Sequence, residues 1–594
     1  MQPLRILALT SCITLALTAG CKQDTTPTAS PDATATATTA NADAAFQTAV
    51  DAFIDGSFQH NPVFGANSGK HEYDGKLPDY SPEGLKATAD WLHAQRTAFA
   101  AFGDEKLDEK GRFQRDYVLT VIDGQLFWLE DSGFPYSNPS FYTGDLSPSM
   151  YLTRPYAPLP TRMAAFVTYQ EALPKAIAQI KANFKLPLPA SYIDLGVNSF
   201  AGYSSFFKSD VPAIFAEVKD DALQARFKAS NEAAIEATQD MADWLKAQAP
   251  NATQDYALGA DKFAKMLHAT ELVDIPLDQL KAAADGDLVR NLASLKTACD
   301  AYAAGKSLAQ CMDKVNADKP VGGAVEGARN QLAGLRQFII DKDLLTIPGT
   351  EQAKVEEAPP FNRWNFAYIE IPGPYENGLP SVYYIAPPDP TWPKAEQDAY
   401  VPGKSVLLFT SAHEVWPGHF LQFLHSNRAD WKFGQLFVGY AFAEGWAHYT
   451  EEMMFDAGLG DATPETHIGQ LSEALLRDVR FVSAIGLHTG GMTIAQSEQM
   501  FKDKAFQDPG NARQQAARGT YDPAYLNYTM GKLMIMQLRQ DWTAAHPGPK
   551  ALKTFHDQFL GYGGPPIPLV RAQMLGGKPE AKLWTASATV KPAQ

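Results

Sequence analysis

The chain has 594 residues, 45% hydrophobic and 20% charged, a balance that supports a large buried core and fits several domains or one large enzyme body. Its formal charge of −16 offers no basic footprint for phosphates, which argues against a nucleic-acid binder.

The N-terminus reads as a targeting device. MQPLRILALTSCITLALTAGC places Arg5 before an apolar run of signal-peptide length and ends in Ala19 and Gly20 before Cys21. This resembles the lipobox of bacterial lipoproteins. Residues 1–20 are then a signal peptide, and Cys21 is the lipidated first residue of the mature chain. Lys22 rather than aspartate follows it, as in lipoproteins sorted to the outer membrane. The expected location is periplasmic, lipid-anchored and on the outer membrane. No later segment has the roughly 18 apolar residues of a membrane span. Residues 21–44 lack large apolar groups and are expected to be a flexible tether.

From residue 45 to about 350 the pattern is mostly helical. FQTAVDAFI lines up Phe46, Val50, Phe53 and Ile54. Ser81 and Pro82 open a second helix as cap and first residue. Cys299 and Cys311 flank a helix end, a turn at Gly305 and a new helix start. In an oxidising compartment a structural disulfide is favoured there over two free thiols. Near residue 360 the texture changes to short aromatic and β-branched runs, FNRWNFAYIEIP and LPSVYYIAPP. These read as strands, and their prolines favour sheet edges. Helices resume at about Ser411. The expected fold is mainly α, with a small sheet just before the suspected site. The expected division is an N-terminal helical part (45–350) walling a cleft and a catalytic part (351–594).

The chemistry concentrates in SAHEVWPGHFLQ, residues 411–422. His413 and Glu414 begin a zinc-peptidase pattern, but Pro417 stands where the second histidine of H-E-x-x-H would be, and the next histidine is His419. Ser411 and Glu414 form S-x-x-E, which predicts a capped helix starting near Ala412. In one regular helix, residues six apart diverge by about 120° and residues four apart by about 40°. Looping out Trp416–Gly418 would restore the second relation. Proline removes an N–H and clashes with the carbonyl four residues back, and glycine relaxes the backbone. The pair can therefore build a metal site rather than spoil it. A catalytic zinc needs a third ligand. FAEGWAHYTEEM offers Glu444, with His448 as competitor and Glu451 on the same helical face. Gly445 permits close helix approach.

H-E-x-x-P-G-H-x-x-Q followed by E-G-W-A-x-Y resembles the family known as domain of unknown function 885 (DUF885), which includes many bacterial lipoproteins. That family is similar in plan to gluzincin-type zinc peptidases. The resemblance implies one Zn2+ held by His413, His419 and Glu444, with Glu414 as general base on a metal-activated water and a peptide as substrate. Tyr528 and His488, in segments resembling the family's C-terminal ones, are candidates for stabilising the oxyanion; each is equally readable as a buried core residue. Lys532 and Arg539 could hold a peptide carboxylate or be surface charges. Tyr383 and Tyr384, in VYYIAP, could line an extended peptide paired to a sheet edge. The rival readings are a metal-free binding module and a zinc amidase acting on cell-wall amides.

Overall fold

The computed structural model describes residues 31–359, 363, 366–376 and 378–585, with side chains from Asp43 onward. The expected signal peptide, Cys21 and the start of the tether lie outside the described residues. The principal helices are α1 (Pro31–His60), α2 (Pro82–Ala100), α3 (Glu109–Leu126), α4 (Leu159–Asn183), α5 (Ala190–Ser209), α6 (Asp221–Lys246), α7 (Ala260–Glu271), α8 (Leu277–Tyr302), α9 (Leu308–Ala317) and α10 (Gly323–Asp341). Three strands follow: β1 (Lys354–Glu357), β2 (Ala367–Glu370) and β3 (Val382–Ile385). Then come α11 (Lys404–Glu414), α12 (His419–Ser426), α13 (Tyr440–Asp456), α14 (Pro464–Thr489), α15 (Pro509–Tyr521) and α16 (Asn527–Ala545). The class is mainly α, as expected.

Local chemistry accounts for many boundaries. Ser81 accepts a hydrogen bond from Gly84 N, with Pro82 at the first helical position of α2. Ser307 and Gln310 form a reciprocal capping box on α9. Cys299, near the end of α8, is bonded to Cys311 in α9, with Cα atoms 5.8 Å apart. The expected disulfide is therefore present. Helix α1 begins at Pro31, so the backbone is helical over residues 31–44, where a tether was expected. Alanine, frequent there, has the highest helix propensity.

Two expectations about local structure need correction. The sheet order is β1-β3-β2, with β1 parallel and β2 antiparallel to β3. VYYI is thus the central strand, not an edge. Its prolines, Pro380 and Pro387, fall outside residues 382–385, so every amide of the strand body is free to pair. The second correction concerns the helix expected to start near Ala412, which begins earlier and includes the preceding VLLF run. Helix α11 starts at Lys404 and ends at Glu414, so His413 and Glu414 sit in its last turn rather than its first. S-x-x-E is interior to α11 and caps nothing.

The core around the site draws on Phe263 and Met266 of α7, Leu280 and Leu295 of α8, Trp416, Trp446 and Leu533. A second core gathers α4, α5 and α6 around Phe166, Phe207 and Phe227. Among the described residues, no helix is long and apolar enough to cross a membrane.

Candidate metal centre

Residues Val415–Gly418 separate α11 from α12, and the Trp416–Pro417 peptide is cis. The two histidines therefore lie on two helices joined by a tight break, not on one bulged helix. Gly418 N donates to Ala412 O at 2.9 Å, folding the break back on the end of α11. A Cβ at Gly418 would lie 1.7 Å from His413 O, so no side chain fits there. Trp446 Nε1 donates to Pro417 O at 2.9 Å, tying the break to α13. Helix α13 in turn packs backbone to backbone on α16. A Cβ at Gly445 would meet Gly531 at 2.6 Å, and one at Gly531 would meet Ala441 O at 2.3 Å. The close approach expected at Gly445 is found, and it brings the first turn of α16, with Tyr528, beside Glu444.

His413, His419 and Glu444 converge. Glu444 Oε2 is 3.3 Å from His413 Nε2 and 3.2 Å from His419 Nε2. The two imidazoles are perpendicular, with centroids 4.8 Å apart. Among the described residues, these three are the set of His, Cys, Asp or Glu side chains that could hold a metal ion. A tetrahedral ion with ~2.0–2.2 Å bonds sets its ligands roughly 3.4 Å apart, which fits the Glu444 separations. Glu444 Oε2 is also buried without a hydrogen bond of acceptable geometry to either ring. A cation at the convergence point would satisfy all three atoms.

Behind the ligands stands Glu451, which the sequence placed on the right face of α13 but to which it gave no role. Its Oε1 lies 2.7 Å from His413 Nδ1, and its Oε2 lies 3.1 Å from His448 Nδ1. The first contact fixes the His413 tautomer with Nε2 directed at the site, the usual carboxylate–histidine support of a metal ligand. Arg477 from α14 bridges Glu451 at 3.3 Å and also pairs with Glu473. His448, the competing ligand, turns to Glu451 and lies outside the cluster.

The Glu444 and Glu451 carboxylates make this a place that favours positive charge. Burial and Arg477 oppose protonation of His413, yet Glu444 and Glu451 outweigh them and raise its pKa to about 9. Burial likewise opposes ionisation of Glu444, but the two histidines hold its carboxyl well below the ordinary range. Glu414 is raised by burial, with the histidines offsetting part of the shift.

The remaining candidates separate. Tyr528 reaches the site: its ring stacks on that of His413, at 6.2 Å and 14°. The Tyr383 hydroxyl is buried, and the nearby Glu414 charge adds to burial in raising its pKa. Tyr384 faces Tyr368 across the sheet, away from any free edge. His488 is a core histidine: Nε2 is 2.7 Å from Gly519 O, and Nδ1 accepts from Leu258 N at 3.2 Å. Both ring nitrogens are engaged by backbone, so it has nothing to offer a substrate. Lys532 is fully buried against Asp287 (3.2 Å) and Glu452 (2.9 Å), a structural ion pair rather than a carboxylate receptor. Arg539 donates to Tyr449 OH and is likewise part of the packing.

The family described as "Bacterial protein of unknown function (DUF885)" matches residues 62–574. A solved structure of a candidate lipoprotein of unknown function from Shewanella oneidensis is 25% identical, with a TM-score of 0.74 over 89% of this chain and 99% of that one. A candidate lipoprotein from Colwellia psychrerythraea, 16% identical, shares the fold with a TM-score of 0.75 over 91% of this chain and 98% of that one. No curated protein matches the chain.

Proposed function

The chain belongs to the DUF885 family of bacterial proteins of unknown function, and from that membership and the geometry of the site we propose that it is a zinc-dependent peptidase. The observation that carries this reading is Glu444 Oε2, buried, without a hydrogen bond, and 3.2 and 3.3 Å from two imidazole Nε2 atoms. Two histidines and a glutamate with a fourth position open are the donor set of a catalytic zinc. When bound, Zn2+ supplies Lewis acidity, which makes water nucleophilic at neutral pH and polarises a carbonyl.

The protein's own groups do the rest. Glu414, next in the chain to His413, accepts the proton of the attacking water on its carboxylate. It then delivers that proton to the amine nitrogen as the C–N bond breaks. Its raised pKa suits a group that must hold a proton between the two steps. Tyr528 is kept as a neutral phenol because burial and Glu444 raise its pKa. Its hydroxyl donates to the carbonyl oxygen as negative charge develops there. Glu451 holds His413 in the metal-facing tautomer throughout.

The name of the Shewanella relative, a candidate lipoprotein, supports Cys21 as a lipidated residue and a membrane-anchored, extracytoplasmic location for this chain; the outer membrane is proposed from Lys22 alone. The test is elemental analysis of purified protein alongside digestion of a peptide mixture. One zinc per chain is expected, with activity lost to a chelator and restored by zinc. Glu414→Gln should keep the zinc and lose about two to four powers of ten in kcat. A folded chain that binds no zinc would refute the reading.

A further inference from the structure

Arg480, on α14, is only 7% exposed. Its one hydrogen bond among the described residues runs from Nε to Gln515 Oε1, at 2.8 Å. The charged groups acting on it are other arginines, Arg518 and Arg477, and two tyrosines, Tyr528 and Tyr440. The two neighbouring cations are already neutralised. Arg477 pairs with Glu451 and Glu473, and Arg518 pairs with Asp522 and donates to Tyr440 OH. Among the described residues, Arg480 has no carboxylate partner. Buried arginines are almost always paired, and an unpaired one is costly to keep. Its guanidinium meets the Tyr528 ring face, and none of its nitrogens is a buried atom lacking a partner, so the N–H groups not bound to Gln515 remain open to an incoming acceptor.

The place is beside the metal centre. The Arg480 guanidinium lies 4.8 Å from the centroid of the Tyr528 ring, and the His413 ring stacks on the same tyrosine at 6.2 Å. The guanidinium is therefore within the length of about three extended residues, at ~3.4 Å each, of a metal ligand. Arg518, also facing the Tyr528 ring, is partly exposed and opens the cluster towards solvent. A guanidinium fork matches a carboxylate better than any other common anion on a peptide.

We propose that Arg480, with Arg518 at its mouth, binds the C-terminal carboxylate of the peptide, so that the enzyme acts as a carboxypeptidase releasing one or two residues. This rests on the peptidase reading for its substrate class but not for its test, which is a binding measurement. N-acetyl-tetraalanine and its C-terminal amide are titrated by calorimetry into the Glu414→Gln protein, which does not consume them, with and without added zinc. The acid is expected to bind at least about tenfold more tightly than the amide, the scale of a charged hydrogen bond. Arg480→Gln should abolish that preference. Arg480→Lys, which keeps the charge, should retain part of it.

Equal binding of acid and amide, or binding of neither, overturns the proposal. So does an aspartate-containing tetrapeptide amide that binds as tightly as the acid, since the pocket would then take an acidic side chain. If the acid preference and its dependence on Arg480 hold but no peptide is hydrolysed by the wild-type protein, the carboxylate pocket stands and the peptidase reading falls.

Discussion

A methyl group added at Gly418 should disable the metal centre while leaving the helical body folded. The Cβ of Gly418→Ala would lie 1.7 Å from His413 O, 2.4 Å from His413 C and 2.7 Å from Ala412 O. All three are backbone atoms, so none can swing aside as a side-chain tip would. Contacts of a Cβ under 3.0 Å are essentially never seen, so residues 413 and 418 must part by roughly 1.3 Å. A metal site tolerates about 0.5 Å. Gly418 adjoins His419 and the clash is with His413, so the displacement falls between two of the three ligands. Zinc affinity should drop at least 10- to 100-fold, about 1.4–2.8 kcal/mol, with a further overpacking cost to stability of about 1–3 kcal/mol. Gly202→Ala is the control. Gly202 is exposed within α5 with open space around its Cβ position, so alanine there should stabilise by up to about 1 kcal/mol and leave zinc binding alone. Competition against a chromophoric chelator reads the affinity, and circular dichroism melts read the fold. Wild-type zinc affinity in a folded Gly418→Ala protein would mean that the Pro-Gly break does not set the ligand geometry.

Glu451→Gln keeps the shape but not the charge behind His413, and zinc affinity should fall about 10- to 100-fold in the same competition assay; an unchanged value would reduce Glu451 to a packing residue. Glu271 is fully buried, accepts from Ala441 N at the start of α13, and has its pKa raised by burial from 4.5 to about 7. A folded pKa above the unfolded one gives stability that is full below pH 4.5 and is lost as pH rises through about 7, on the order of 3 kcal/mol. Glu271→Gln should therefore gain on the wild type between pH 5 and 8 in urea unfolding, and parallel pH profiles for the two proteins would contradict that. Cys21→Ser should release the protein from the membrane fraction or stop its maturation, which fractionation and mass spectrometry would show; unmodified wild-type protein in the cytoplasm would remove the targeting argument.

The parts legible in the sequence were those in which one residue type does one local job. Ser81 with Pro82 marks a helix start because the cap oxygen and the missing N–H act within one turn. Cys299 and Cys311 were legible because a short helix–turn–helix forces their closeness. The convergence of His413, His419 and Glu444 was legible because Pro417 and Gly418 break the helix between the histidines and a short loop returns the chain beside them. What was not legible depended on distant partners. Lys532 looks like any helix lysine until Asp287 and Glu452 close over it. His488 looks available until Leu258 N and Gly519 O take both ring nitrogens. The centrality of VYYI depends on β1, a KVEE segment whose charges gave no strand signal.

The Pro-Gly break shows both sides of this. The sequence argument required only that the backbone leave the α-helix between His413 and His419, and it does, at Val415–Gly418. It placed the break inside one helix because S-x-x-E suggested a start at Ala412. The structure instead ends one helix at Glu414 and begins another at His419. The two arrangements differ in what holds the ligands. A bulge would leave the i, i+4 relation to a single helix. Two helices leave it to whatever fixes the break, and here that is α13: Trp446 holds the Pro417 carbonyl, Gly445 lets α13 seat against α16, and Glu444 places its carboxylate between the two histidines. Three consecutive residues, E-G-W, thus close the site that P-G opens, so the two motifs stand as one device separated by a loop.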